Sequence, residues 1–280
     1  MTLTVADAIC RPASTVNEDT WGRAGDAVWV LDGATGVAPS PYLDGASDAA
    51  WFSREISGRF EEAFSVALST PAAVLRGVHA TAEAARTMCD IGKVPAFELP
   101  SASLVVAREV GSRLELTNLG DSVIVWRGAG GPANRFGWSE LGGFEDALHR
   151  VLDAALADGL PRAVGVERAR ALARENRKLM NRPDGYWILD LSGAGVSQAQ
   201  IEACPAPAPV DVLLMTDGFS RLVEVYGAYD WDGLMDRALE NGLEPLYDEL
   251  RGIEAADEAC SRFQRFKARD DATAVMLSWR

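Results

Sequence analysis

The sequence predicts an α+β fold in which strands and helices enclose a shared core, and three observations carry that expectation. Short apolar runs punctuated by Gly, Asp and Pro recur at residues 28–32, 102–108, 113–119, 122–126, 185–191, 210–215 and 272–279, the length and spacing of strands. Stretches with a 3.6-residue apolar period lie between them. Val110-Gly111-Ser112 joins two of the runs as an antiparallel hairpin.

Taken in order, residues 3–10 alternate as a strand, and Asn17-Glu18-Asp19-Thr20-Trp21 reads as a polar turn before Gly22. Val28-Trp29-Val30-Leu31 is a buried strand that ends in Asp32-Gly33-Ala34-Thr35-Gly36, followed by a Gly-, Pro- and Ser-rich loop through Gly45. A helix begins near Ser47, its face marked by Trp51, Phe52, Ile56, Phe60, Phe64 and Leu68. A second runs from Pro71, suited to a first helical turn, to Cys89, with Val74, Leu75, Val78, Ala82 and Ala85 on one side.

After the hairpin, Gly120-Asp121 leads directly into the strand from Ser122 to Trp126. Residues 127–204 change character: a glycine-rich loop, then helices over 144–158 and 166–180, then a strand over 185–191. The second of these helices is basic, with Arg162, Arg168, Arg170, Arg174, Arg177, Lys178 and Arg182 in or beside it. A solvated face paired with Glu167 and Glu175 accounts for that run; a phosphate-bearing partner is the alternative. Ala206-Pro207-Ala208-Pro209 is a stiff connector into Val210–Met215 and Thr216-Asp217-Gly218. Helical patterns over 231–240 and 246–263 precede a last strand introduced by Asp270-Asp271.

Composition narrows the function. The 280 residues, 48% hydrophobic and 24% charged, suit one globular domain, and no apolar run is long enough to span a bilayer. Lys and Arg number 27 against 41 Asp and Glu, a net charge of −14, which disfavours nucleic acid and anionic membranes and suits cations. The first ten residues lack a secretory signal, so a cytoplasmic protein is expected. Cys10, Cys89, Cys204 and Cys260 lack metal-pair spacing and are read as reduced thiols, and His79 and His149 as packing or surface residues.

Five acids, Asp19, Asp32, Asp121, Asp217 and Asp270, stand at strand edges. Carboxylates gathered without basic neighbours either raise their own pKa values or bind cations. All-oxygen donors favour Mg²⁺ or Mn²⁺ over Zn²⁺, and two such ions meet the needs of in-line phosphoester hydrolysis. There is no Gly-Lys-Ser/Thr phosphate loop and no Gly-x-Ser-x-Gly elbow, and Ala34 stands where a covalent aspartyl mechanism wants a second Asp.

In this order, Asn17-Glu18-Asp19, Asp32-Gly33-Ala34-Thr35-Gly36, Ser101-Ala102-Ser103-Leu104-Val105-Val106, Gly120-Asp121-Ser122, Thr216-Asp217-Gly218 and Asp270-Asp271-Ala272-Thr273 resemble the motifs of the metal-dependent type 2C Ser/Thr protein phosphatases, across roughly residues 3–126 and 205–280. The resemblance implies a four-layer α-β-β-α sandwich of two mostly antiparallel sheets flanked by helices, with two Mn²⁺ or Mg²⁺ ions at one end. By position, Asp32 would bridge both ions, Asp217 and Asp270 would complete one, and Gly33 with Glu18 or Asp19 would serve the other. Asp121 would match a third, weaker site. A metal-bridged water would attack the phosphorus of phosphoserine or phosphothreonine in a phosphoprotein. Ser14 falls where the family carries a phosphate-binding arginine, with Arg11 as a stand-in, and Ala34-Thr35 departs from the family's glycine-rich turn. Residues 127–204 are expected to form a helical insertion or flap and to offer a surface for a protein partner. A non-catalytic, partner-binding member of the fold and a phosphatase for small phosphoesters are the alternatives.

Overall fold

Two antiparallel sheets stack face to face between helical layers in the computed structural model, which describes residues 1–38, 40–66, 69–137 and 139–280. The strands are β1 (Leu3–Arg11), β2 (Thr20–Ala24), β3 (Ala27–Ala34), β4 (Ser101–Val110), β5 (Arg113–Leu119), β6 (Val123–Gly128), β7 (Asn134–Phe136), β8 (Leu189–Asp190), β9 (Gln200–Ala203), β10 (Val210–Met215) and β11 (Ala272–Trp279). The helices are α1 (Asp48–Val66), α2 (Thr70–Arg86), α3 (Leu141–Ala157), α4 (Arg162–Arg177), α5 (Asp217–Glu224), α6 (Trp231–Asn241) and α7 (Glu244–Ala256). One sheet has the order β1-β11-β10-β6-β7; the other is β2-β3-β4-β5-β9, with β8 also paired to β4.

Three apolar layers follow from the two-residue period of the strands. Val28, Val30, Val105, Leu116, Val212, Leu214, Val275 and Leu277 fill the space between the sheets. Their sequence neighbours Trp29, Leu31, Leu104 and Val106 face outward onto Phe52, Ile56, Phe60 and Val78 of α1 and α2. On the opposite outside, Leu213, Met215, Ala274 and Met276 pack under Phe219, Leu234, Leu246 and Leu250 of α5, α6 and α7. Strands covered on both faces read as unbroken apolar runs, which is why β3 and β10 stand out in the sequence. The structure therefore has the four-layer architecture that the sequence predicts.

The differences have local causes. β2 was expected as a turn: it is only partly buried, so its alternation is weak. It pairs through Gly22 opposite Trp29, where a Cβ would come within 2.6 Å of the indole ring. Leu68 lies outside the described residues. Of residues 127–204, the helical part is the α3–α4 hairpin; β8 and β9 rejoin the second sheet on β4 and β5. The expected helix over 246–263 ends at Ala256 because Asp257 captures the chain. Its carboxylate accepts from the backbone N–H groups of Ser261, Arg262 and Phe263 at 2.8, 3.0 and 3.0 Å and from Arg265 Nη1 at 2.7 Å. This knot folds the segment that delivers Asp270.

Backbone N–H donors above all, then Arg265, hold the Asp257 carboxyl well below the usual carboxylate range, although desolvation opposes them. A depressed acid stabilises the fold above its unfolded pKa of about 4, and that contribution is lost as the pH falls below it. Asp257→Asn is expected to lower Tm at pH 7, with the difference from wild type shrinking below about pH 4 in differential scanning calorimetry.

Candidate functional site

Strand register brings the acids to one end of the sandwich. Asp32 pairs opposite Ser103 near the end of β3, and on the two-residue period it follows Val28 and Val30 toward the facing sheet. In that facing sheet, Met215 pairs with both Val123 and Ala274. The bend holding Asp121, the start of α5 at Asp217 and the approach to β11 at Asp270 therefore lie together. Two glycines are required at close approaches. A Cβ on Gly33 would sit 2.5 Å from the Glu18 carbonyl oxygen and the Ser53 hydroxyl. Gly120 has φ +103°, and a Cβ there would come within 2.5 Å of Ser103.

The carboxylates sense one another. Burial pushes Asp32 well above the ordinary carboxylate range, and the charges of Asp19, Asp217, Asp121 and Asp270 push it further. Burial raises Asp19 in the same way, opposed by a hydrogen bond from Thr216 and reinforced by Asp271 and Asp217. Asp121 is pushed up to about 7, by burial first and then by Asp217. Acids drawn from both sheets thus share one negative field, the condition that a hard cation relieves.

Several acids at this end also have partners within the chain. Asp19 accepts from Thr216 Oγ1 at 2.9 Å, and Glu18 from Thr35 Oγ1 at 2.8 Å and Ser47 Oγ at 2.5 Å. Asp271 accepts from the N–H groups of Ala13 and Glu18, both at 2.7 Å, and so ties the first acidic motif to the last. Asp270 meets two cations, Arg221 at 2.7 Å and Lys267 at 3.0 Å. Desolvation opposes the Lys267 charge, but attraction to Asp270, Asp217 and Asp32 outweighs it and holds the ammonium protonated more firmly than in an ordinary lysine. With these partners engaged, no group of three or more Asp, Glu, His or Cys side chains among the described residues is placed to hold a metal ion. The all-oxygen donor chemistry suits Mg²⁺ or Mn²⁺, while Asp19, Glu18 and Asp270 are engaged by partners of the chain itself.

Arg11 stands apart from this set, in an exposed ion pair with Glu244 at 3.2 Å. Sequence reasoning passed over Lys267 and Arg221, whose only signal was a basic residue three positions before Asp270 and another four after Asp217. It also took Arg177 for part of a solvated face. Arg177 is buried: its Nε donates to the Phe97 carbonyl at 2.9 Å, and Nη2 to the carbonyls of Ala34 and Leu99 at 3.2 and 2.9 Å and to Ser101 Oγ at 3.1 Å. The end of α4 is thereby pinned to the turn that follows Asp32 and Gly33.

Two cavities open where Asp121 and Asp217 meet. One, of about 340 Å³, runs between α3 and α5 past Glu145, His149 and Arg221. The other, of about 620 Å³, runs along α4 past Arg170, Arg174 and Lys267.

Residues 9–255 match the sequence family described as protein phosphatase 2C. The chain belongs to that family. No curated protein sequence matches it. Among solved structures, it is similar to the Mycobacterium tuberculosis serine/threonine phosphatase PstP/Ppp, at 17% identity and TM-score 0.57 with 100% of each chain covered. The catalytic domain of PstP in complex with two manganese ions is similar at 17% identity and TM-score 0.53, over 99% of this chain and 97% of that one. PppA, described as a key regulatory component of T6SS in Pseudomonas aeruginosa, shares 17% identity and TM-score 0.56, over 100% of this chain and 99% of its own. At these identities the likeness shows the fold, which agrees with the type 2C phosphatase architecture the motifs predict.

Replacing Arg177 by Met strands several buried carbonyl oxygens, and each unsatisfied group costs about 1–3 kcal/mol. Urea denaturation of Arg177→Met is expected to show a loss of about 2–4 kcal/mol.

Proposed function

We propose that the protein is a metal-dependent Ser/Thr protein phosphatase that hydrolyses phosphoserine and phosphothreonine in phosphoprotein substrates. The observation that carries this reading is the set of strand-end aspartates drawn from both sheets to one end of the sandwich, where burial and then the neighbouring carboxylates raise the pKa values of Asp19, Asp32 and Asp121. Family membership supports it, as does the PstP structure with two manganese ions. Asp32, Asp217 and Asp270 would hold two Mn²⁺ or Mg²⁺ ions with the Gly33 carbonyl and Glu18 or Asp19, and Asp121 would serve a third. When bound, the ions would supply Lewis acidity and neutralise charge on the phosphate.

The chain's own residues have separate roles. Thr216 orients Asp19 by hydrogen bonding, and the Asp271 bridge to Ala13 and Glu18 fixes the spacing between the first and last acidic motifs. Lys267, beside Asp270, would make the phosphate contact; Arg11, which the sequence offered for that role, is paired with Glu244. The Lys267 side chain is 64% exposed, so it can swing from the carboxylate to an incoming phosphate.

A second reading, a partner-binding protein without turnover, is favoured by one observation: Asp270 is already neutralised by Arg221 and Lys267. The two readings separate in an assay of phosphate release from a phosphothreonine peptide with Mn²⁺, Mg²⁺ or chelator. Release is expected with metal and at least about a hundredfold less of it in Asp32→Ala. A folded wild type that is inert with every metal supports the partner-binding reading. Lys267→Met removes a competing cation, so isothermal titration is expected to show tighter Mn²⁺ binding while the KM for phosphopeptide rises.

A further inference from the structure

The groove along α4 shares Asp121 and Asp217 with the acidic centre and adds the basic side chains of α4 to them. Its lining includes the acids Asp121, Glu145 and Asp217, the cations Arg170, Arg174 and Arg177 of α4, and the apolar side chains of Leu141, Phe144 and Ala173. Arg177 is committed to backbone carbonyls. Arg170 and Arg174 are not committed in that way: both lean on the single carboxylate of Glu167, at 3.8 and 3.3 Å, with their side chains 61% and 53% exposed. Exposed pairs of this kind are worth little and exchange readily for another acid. In a chain of net charge −14, this is a local excess of positive charge beside the centre where the phosphate would react.

We propose that this groove is the substrate-docking channel, in which Arg170 and Arg174 select phosphopeptides carrying two acidic side chains on alternate residues to one side of the phosphorylated residue. The proposal rests on the phosphatase reading and adds its substrate class. The geometry favours that spacing: residues four apart on a helix are about 6 Å apart along its axis. In an extended peptide, side chains two residues apart project to the same side about 6.6 Å apart. The apolar strip formed by Leu141, Phe144 and Ala173 would receive the intervening chain. The acidic surface elsewhere disfavours RNA and anionic membrane as occupants.

The test uses the full chain and phosphothreonine peptides with Glu-x-Glu, Ala-x-Ala or Lys-x-Lys placed on either side of the phosphorylated residue. Wild type is expected to prefer Glu-x-Glu on one side by roughly five- to twentyfold in kcat/KM, and Arg170→Glu/Arg174→Glu to lose that preference and shift it toward Lys-x-Lys. Aryl phosphate turnover is expected to be the same in both proteins. Fluorescence anisotropy of the labelled Glu-x-Glu peptide, read with metal and with chelator, reports docking even if no substrate turns over. Failure of hydrolysis with binding intact and arginine-dependent therefore overturns the catalytic reading and leaves the groove standing. The docking proposal is overturned if wild type shows no acidic preference in either assay, if the preference survives in the double variant, or if aryl phosphate turnover falls in parallel with peptide turnover.

Discussion

Repulsion among carboxylates at one end of the sandwich is the constraint on which the site depends. Asp32 arrives from one sheet and Asp217 and Asp270 from the other, so packing the two sheets also forces their acids together. Burial first, and then these neighbouring charges, raise the pKa values of Asp19, Asp32 and Asp121. Lys267 and Arg221 offset part of the repulsion at Asp270. A cation at the centre would offset the rest, and in doing so would compete with those two side chains for the same oxygens.

A second network sets how that end is framed. Glu254 and Asp257, at the end of α7, organise the last loop: Glu254 is buried beside Arg251 and Arg221, and Arg251 donates to the Asp270 carbonyl at 2.7 Å. On the other side, Arg177 ties the α3–α4 hairpin to Ala34. The acidic end therefore lies between two segments, one locked to it by the buried Arg177 and the other by the half-buried Arg251, and a shift of either segment would be felt at the carboxylates.

The central strands were legible because burial on both faces leaves an unbroken apolar run, as at Val28–Leu31 and Val210–Met215. β2 and β9 were not, since neither is fully buried and each owes its conformation to the strand beside it. Asp32 and Asp217 were legible as Asp-Gly at strand ends, and Asp19, Asp121 and Asp270 through their place in the ordered set of acidic motifs. The cations beside Asp270 were not: Arg221 and Lys267 reach it from segments whose local patterns are those of ordinary solvated ones, and nothing local marked Arg177 as the arginine that holds the Ala34 carbonyl.

By itself the sequence determined the α+β class, the order of the acidic motifs and the oxygen-donor character of the centre, because periodicity, turn chemistry and side-chain type are local properties, and the layered sandwich followed from the resemblance those motifs carry. Only the tertiary structure decided which cations stand among those acids, which arginine of the basic helix is buried and which two face the groove. Those outcomes depend on distances between residues far apart in the chain, and a charge pattern along one helix carries no record of them.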